Sequence, residues 1–119
     1  MSKNMSNNMS EAMEKFPAPS RLVHEPARLA ILTVLSSCES TDFLFLEQVT
    51  GLSKGNLSVQ LTNLEAAGLI EIRKELAGKK THTMVSLTDL GRKEIQAYWE
   101  TMEQLRTYRV VSLKTQEAY

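Results

Sequence analysis

Cysteine is nearly absent, with Cys38 alone among 119 residues. The chain can therefore form no disulfide within itself and no multi-cysteine metal site, and a reducing cytoplasm is its natural compartment. An excess of charge of one sign is also missing, since 14 Lys and Arg stand against 14 Asp and Glu. That balance excludes whole-molecule basicity as a source of long-range attraction to phosphate, so any contact with nucleic acid must rest on local charge. No stretch approaches the roughly 20 apolar residues of a membrane span, and the opening residues lack the apolar run of a signal peptide. A soluble, unexported protein with no membrane partner is expected. The chain also lacks a nucleophile with a base at recognisable spacing, a glycine-rich phosphate loop and a ligand-spaced metal cluster, His24 and His82 included. No enzyme and no cofactor are expected.

What is present is an ordinary globular composition, 42% apolar and 24% charged, in a length that suits a single hydrophobic core. Residues 1–19, rich in Met, Ser and Asn and closed by Pro17-Ala18-Pro19, have too few large apolar side chains to offset their ordering entropy and read as a disordered tail. Residues 20–119 read as the folded domain.

Within it, Ser20 can cap a short turn carrying Leu22 and Val23. Pro26 suits the first turn of a helix, and Leu29, Ile31, Leu32 and Leu35 follow at helical spacing to about Ser37. Asp42 is a candidate N-cap for a short second helix with Phe43, Leu46 and Val49 facing inward, ended by Gly51. Only Leu52 separates Gly51 from Ser53, the N-cap of a third helix over about Lys54 to Ala67, so two helices meet across a very tight turn. Leu57, Leu61 and Leu64 form the buried stripe of that third helix. Gly68 can take the left-handed conformation at its end, with Leu69 touching Leu64.

Two alternating segments follow, Ile70 to Arg73 and His82 to Leu87, around the basic tip Ala77-Gly78-Lys79-Lys80, which predicts a short hairpin. Thr88 and Asp89 then open a last helix reaching about Arg109, in which Gly91, Ile95, Tyr98, Met102 and Leu105 form a heptad-like seam. At about 1.5 Å per residue this helix is roughly 30 Å long, more than so small a core needs, so part of it should meet a partner. The fold class predicted is mainly α with a small β-hairpin wing.

The segments His24 to Leu32, Thr50 to Ser58, Leu64 to Ile70 and Leu87 to Arg92 resemble the bacterial and archaeal winged helix-turn-helix regulators of the MarR and ArsR types. The resemblance implies a homodimer that binds double-stranded DNA, with the third helix in the major groove and the wing on the backbone or minor groove. It also implies release of DNA, in some relatives, by a small-molecule effector bound near the dimer helices, although no residue set here specifies one. Where metal-sensing relatives carry paired cysteines or His and Asp clusters, this chain has only Cys38, His24 and His82.

With its leucines inward, the third helix turns Asn56, Val59, Gln60 and Asn63 outward, with Ser53, Lys54, Gly55 and Ser58 near its N-terminus, and no acidic residue occurs from Ser53 to Leu64. Asn and Gln can pair bidentately with adenine, Ser can serve several bases, and Val59 can meet a thymine methyl. Lys54, Arg73, Lys79, Lys80 and Thr81 are the candidate phosphate contacts. Ile95, Tyr98, Trp99, Met102 and Leu105 are the candidate dimer contacts, with a packing anchor or a pocket wall as other roles for Trp99. The rival function is a winged-helix protein-interaction module that binds no DNA.

Overall fold

The computed structural model describes residues 16–109. Most of the expected N-terminal tail and the last ten residues lie outside them. The first helix, α1 (Pro26–Ser36), starts where Pro26 needs no hydrogen-bond partner and where the Glu25 carboxylate accepts from the N–H groups of Ala27 and Arg28, at 3.2 and 2.9 Å. Glu25 thus serves as an N-cap. Ala27, Ile31, Leu32 and Leu35 give the helix its buried face. A two-residue strand, β1 (Thr41–Asp42), leads into α2 (Phe43–Thr50), which Asp42 caps by accepting from Phe45 N–H at 2.7 Å. Gly51, at φ 72°, ends α2 in the left-handed region.

The next helix, α3 (Lys54–Ala66), opens on Ser53, whose hydroxyl accepts from Asn56 N–H at 3.1 Å, and buries Leu57, Leu61 and Leu64. It closes as the sequence predicts: Gly68 adopts φ 79°, its N–H bonds to Glu65 O at 2.9 Å, and Leu69 N–H bonds to Leu64 O at 3.0 Å. These two bonds are the pair that satisfies the last carbonyls in a Schellman motif.

The hairpin consists of β2 (Ile70–Ala77) and β3 (Lys80–Leu87), paired antiparallel from Ile70↔Leu87 to Ala77↔Lys80. β3 is the central strand, with β1 on its other side. Gly78 at φ 67° is the first of two turn residues, and Lys79 keeps a negative φ, the geometry of a type II′ hairpin turn. The wing is therefore not short. Its eight-residue strands pair right up to the turn, through Lys74 to Thr81, where exposure on both faces hides the alternation that marks a strand in sequence.

The last helix, α4 (Asp89–Arg106), is capped by Thr88, which accepts from Gly91 N–H and donates to Gly68 O at 2.6 Å. One side chain thus ties the end of α3 to the start of α4. A Cβ on Gly91 would land on the Leu69 carbonyl, so glycine permits this close approach. The helix stops at Arg106, short of the Arg109 expected from the seam, and Thr107 caps it.

The core joins Val23, Ile31, Leu32, Leu35, Leu46, Leu57, Leu64, Leu69, Ile70, Val85, Ile95 and Tyr98. Val49 does not belong to it and is 52% exposed. Successive steps of three residues rotate a helix face by about 60°, so the stripe taken by Phe43 and Leu46 carries Val49 past the edge of a two-turn helix.

Candidate nucleic-acid interface

Burying Leu57, Leu61 and Leu64 turns the opposite side of α3 to solvent. Lys54, Gly55, Asn56, Ser58, Val59, Thr62 and Asn63 are exposed there, and Gln60 is half-buried at its edge. Ser53 satisfies Asn56 N–H, leaving the N–H groups of Lys54 and Gly55 without intrahelical partners, as at any helix start. No carboxylate lies on this face, because the first acid of the helix is Glu65 in its last turn.

Gln60 is more constrained than its position in sequence implies. Its Oε1 accepts from the Arg28 guanidinium at 3.1 Å and its amide donates to Asn56 Oδ1 at 3.2 Å. Arg28 is itself held by the carbonyl of Leu22 and lies 3.8 Å from the Glu25 carboxylate. The N–H groups of Arg28 and Ala27, with the Arg28 charge, keep the Glu25 carboxyl below its ordinary value, against an opposing effect of burial. α1 therefore holds one edge of this face in place. Nothing in the spacing of Arg28 and Gln60, 32 residues apart, signals this contact.

The strand register divides the wing into two faces, because directly opposed residues share a face. Ile72, Lys74 and Leu76 of β2 share one with Val85, Thr83 and Thr81 of β3. Its inner end meets α3: Ile72 and Thr83 line a shallow hollow together with Phe43, Ser58, Leu61 and Thr62. This wing face is continuous with the polar face of α3.

The reverse face carries Glu71, Arg73, Glu75 and Ala77, with Ser86, Met84, His82 and Lys80 opposite them in turn. Arg73 lies 3.8 Å from Glu71 and 3.4 Å from Glu75. The pleat thus turns Arg73 away from α3, and two neighbouring carboxylates offset its charge. Lys74 was missed, although counting two residues on from the inward Ile72 would have found it. Thr81 lies on the α3-facing side and Lys79 in the turn, whereas Lys80 projects from the reverse face at the tip.

The candidate dimer residues also separate. Ile95 is 5% and Tyr98 3% exposed, both consumed by the core of a single chain. Tyr98 also has a polar partner, its hydroxyl lying 2.8 Å from His24 Nδ1. A helix of this width cannot offer the same side chains to its own core and to a partner, so neither forms an exposed contact. Met102 and Leu105 are half-buried, and Trp99 is 48% exposed, its ring set edge-on to Tyr98. Trp99 lines an open hollow of about 600 Å³ with Ser36, Ile95 and Gln96, bordered by Arg92, Glu100 and Glu103.

Among the described residues no three His, Cys, Asp or Glu side chains gather as a metal site, and no helix is long and apolar enough to cross a membrane. Cys38 is half-buried at the end of α1.

Helix, tight turn, helix and wing, in this order and with this packing, match the family model of the winged helix DNA-binding domain over residues 27–106, from the first turn of α1 to the end of α4. The chain belongs to the winged helix DNA-binding domain family. This winged-helix chain is 28% identical over 78 residues to an uncharacterized protein of Methanocaldococcus jannaschii, covering 66% of its own length and 85% of that protein. It resembles the transcriptional regulator homologue protein from Pyrococcus horikoshii OT3, with a TM-score of 0.69 and 26% identity over 83% of this chain and 93% of that one. A MarR-family regulator from Porphyromonas gingivalis W83 shares the fold at a TM-score of 0.60 and 20% identity, over 75% of this chain and 86% of the other. This family and fold are those of transcriptional regulators and not of enzymes.

Proposed function

We propose that this protein is a sequence-specific repressor that binds duplex DNA as a homodimer, with α3 in the major groove and the wing along the adjoining backbone. The observation that carries the reading is the acid-free polar face of α3, continued without a break onto the lysine-bearing face of the wing. Asn56, Ser58, Val59 and Asn63 supply base-edge contacts suited to A·T-containing half-sites. Lys54, Lys74, Lys79 and Thr81 contact phosphates, as do Ser53 and Gly55 through the start of α3, and Lys80, though on the reverse face, reaches the backbone from the wing tip. Gln60 positions Asn56. The net charge of zero is no obstacle, because the acids of the wing sit on its reverse face.

The dimer forms through the outer side of α4, where Trp99, Met102 and Leu105 are accessible, and Ile95 and Tyr98 support that surface from within. Two copies of α3 then address half-sites about 34 Å apart. A small-molecule effector would enter at the hollow beside Trp99, next to the dimer contact. The protein acts in the cytoplasm, where its DNA lies.

Titrating a labelled duplex pool at about 50 and 200 mM salt tests this, because a dimer neutralising roughly 6–10 phosphates loses about a thousandfold or more in affinity between the two. Binding that does not respond to salt, or no binding, would instead favour the protein-interaction module. The exposed Leu44, Phe45 and Val49 of α2 are the surface such a module would use.

A further inference from the structure

Leu76 is the most exposed large apolar side chain among the described residues, 78% accessible. It stands near the wing tip opposite Thr81, on the face that Ile72 and Thr83 join to α3, with Lys74 two residues before it and the Gly78-Lys79 turn just beyond. Packing within the chain does not account for it, since it lies far out on an arm that is solvated on both sides.

We propose that Leu76 is an apolar wedge that the wing sets into the minor groove flanking the major-groove site, with Lys74 and Lys79 seating it on the phosphates of either strand. The inference rests on the DNA-binding reading above and gives the wing a readout of its own. Reach is the first argument. Leu76 lies four residues beyond Ile72, about 13 Å at roughly 3.3 Å per residue. The next minor groove is about half a helical turn, roughly 17 Å, from the centre of the major groove.

Fit is the second argument. A minor groove about 6 Å wide does not admit a two-stranded arm, but it does admit one side chain from its edge. Charge selects the occupant: Lys74, Lys79 and Lys80 surround the tip, so two such tips repel one another, whereas a groove walled by phosphates attracts them. An apolar side chain there opens a flexible pyrimidine–purine step more readily than a stiff A-tract, which makes the flanking sequence matter where no base edge is hydrogen-bonded.

The test uses the full chain and a duplex recovered from a randomised pool, with 2-aminopurine placed in turn at the steps flanking each half-site. Wild-type binding should raise the 2-aminopurine fluorescence at one flanking step per half-site. Leu76→Ala and Leu76→Ser should abolish that rise and weaken binding about tenfold, leaving the central base preference and the thermal midpoint of the free protein unchanged. Unchanged affinity and fluorescence in both variants would overturn the wedge while leaving the DNA-binding reading intact. A shift in the sedimentation of the DNA-free protein on Leu76→Ala would overturn it in favour of a self-association contact. Failure of the wild type to retain any duplex would overturn the wedge together with the reading beneath it.

Discussion

Arg28 of α1 donates a hydrogen bond to Gln60 of α3 at 3.1 Å, and Gln60 passes the constraint on by donating to Asn56 at 3.2 Å. Both polar ends of Gln60 are thereby occupied inside the protein, while the Asn56 amide group and Asn63 face solvent. Gln60 is therefore expected to orient this face more than to read bases itself. Asn56→Ala and Asn63→Ala are expected to lose about 1–3 kcal/mol each of discrimination at one base pair. Gln60→Ala should lower affinity less than either and leave the preferred bases the same. Competition binding against single-base variants of a selected site measures all three.

The two faces of the wing make opposite demands on neighbouring residues. Lys74 shares the α3-facing side, whereas Arg73 points the other way between Glu71 and Glu75. Replacing a phosphate-contacting lysine should reduce the slope of log affinity against log salt by about 1 per copy. Lys74→Ala is expected to do so, and Arg73→Ala to leave the slope unchanged. Equal losses in both variants would show that the wing lies on DNA by its edge instead of its α3-facing side.

Acid should weaken the fold partly through Glu25. Its carboxyl is held below the ordinary value of 4.5 mainly by the Arg28 N–H group, against the effect of burial, with further lowering by the Ala27 N–H group and the Arg28 charge. A carboxyl lowered in the folded state leaves the unfolded chain binding more protons. The stability it contributes is therefore complete above about pH 4.5 and is lost as pH falls through the lowered value. Glu25→Gln should flatten that part of the acid limb in thermal melts and lower the midpoint at neutral pH. Glu103, lowered by its side-chain bond to Arg106 but exposed to solvent, is the control, and Glu103→Gln should alter the limb little because solvent screens the pair.

Trp99 is the chain's single tryptophan and sits half-exposed on the outer side of α4, so its emission reports on that surface alone. Association through α4 should shift the emission to shorter wavelength as protein concentration rises, in step with sedimentation from monomer to dimer. Leu105→Glu should hold both at their dilute values without changing the far-UV dichroism. A dimer that forms with no change in Trp99 emission would place the contact elsewhere.

Most of the fold was legible because its boundaries are set by local chemistry. Asp42, Ser53 and Thr88 cap the helices from their own side chains, and Gly51 and Gly68 end two of them in a conformation costly to other residues. What escaped reading is what depends on distant partners. A two-residue β1 has no period to detect and exists through its pairing with Val85 and Met84. The contacts of His24 with Tyr98 and of Arg28 with Gln60 span 74 and 32 residues and leave no trace in spacing. Ile95 and Tyr98 belong to a seam whose spacing is the same whether it faces a core or a partner. The sidedness of the wing is a different case. Alternation outward from Ile72 already assigns Lys74 to the inner side and Arg73 to the outer, between Glu71 and Glu75.

The most direct test of the central claim is selection of duplexes from a randomised pool by the purified full-length protein at about 50 and 150 mM salt, followed by sequencing of what it retains. The account predicts enrichment of a two-fold symmetric site with A·T-containing half-sites whose centres lie about one helical turn apart, lost on replacing Asn56, Asn63 and Lys74 together by alanine. Retention without any enriched sequence, or enrichment that survives the triple replacement, would contradict it.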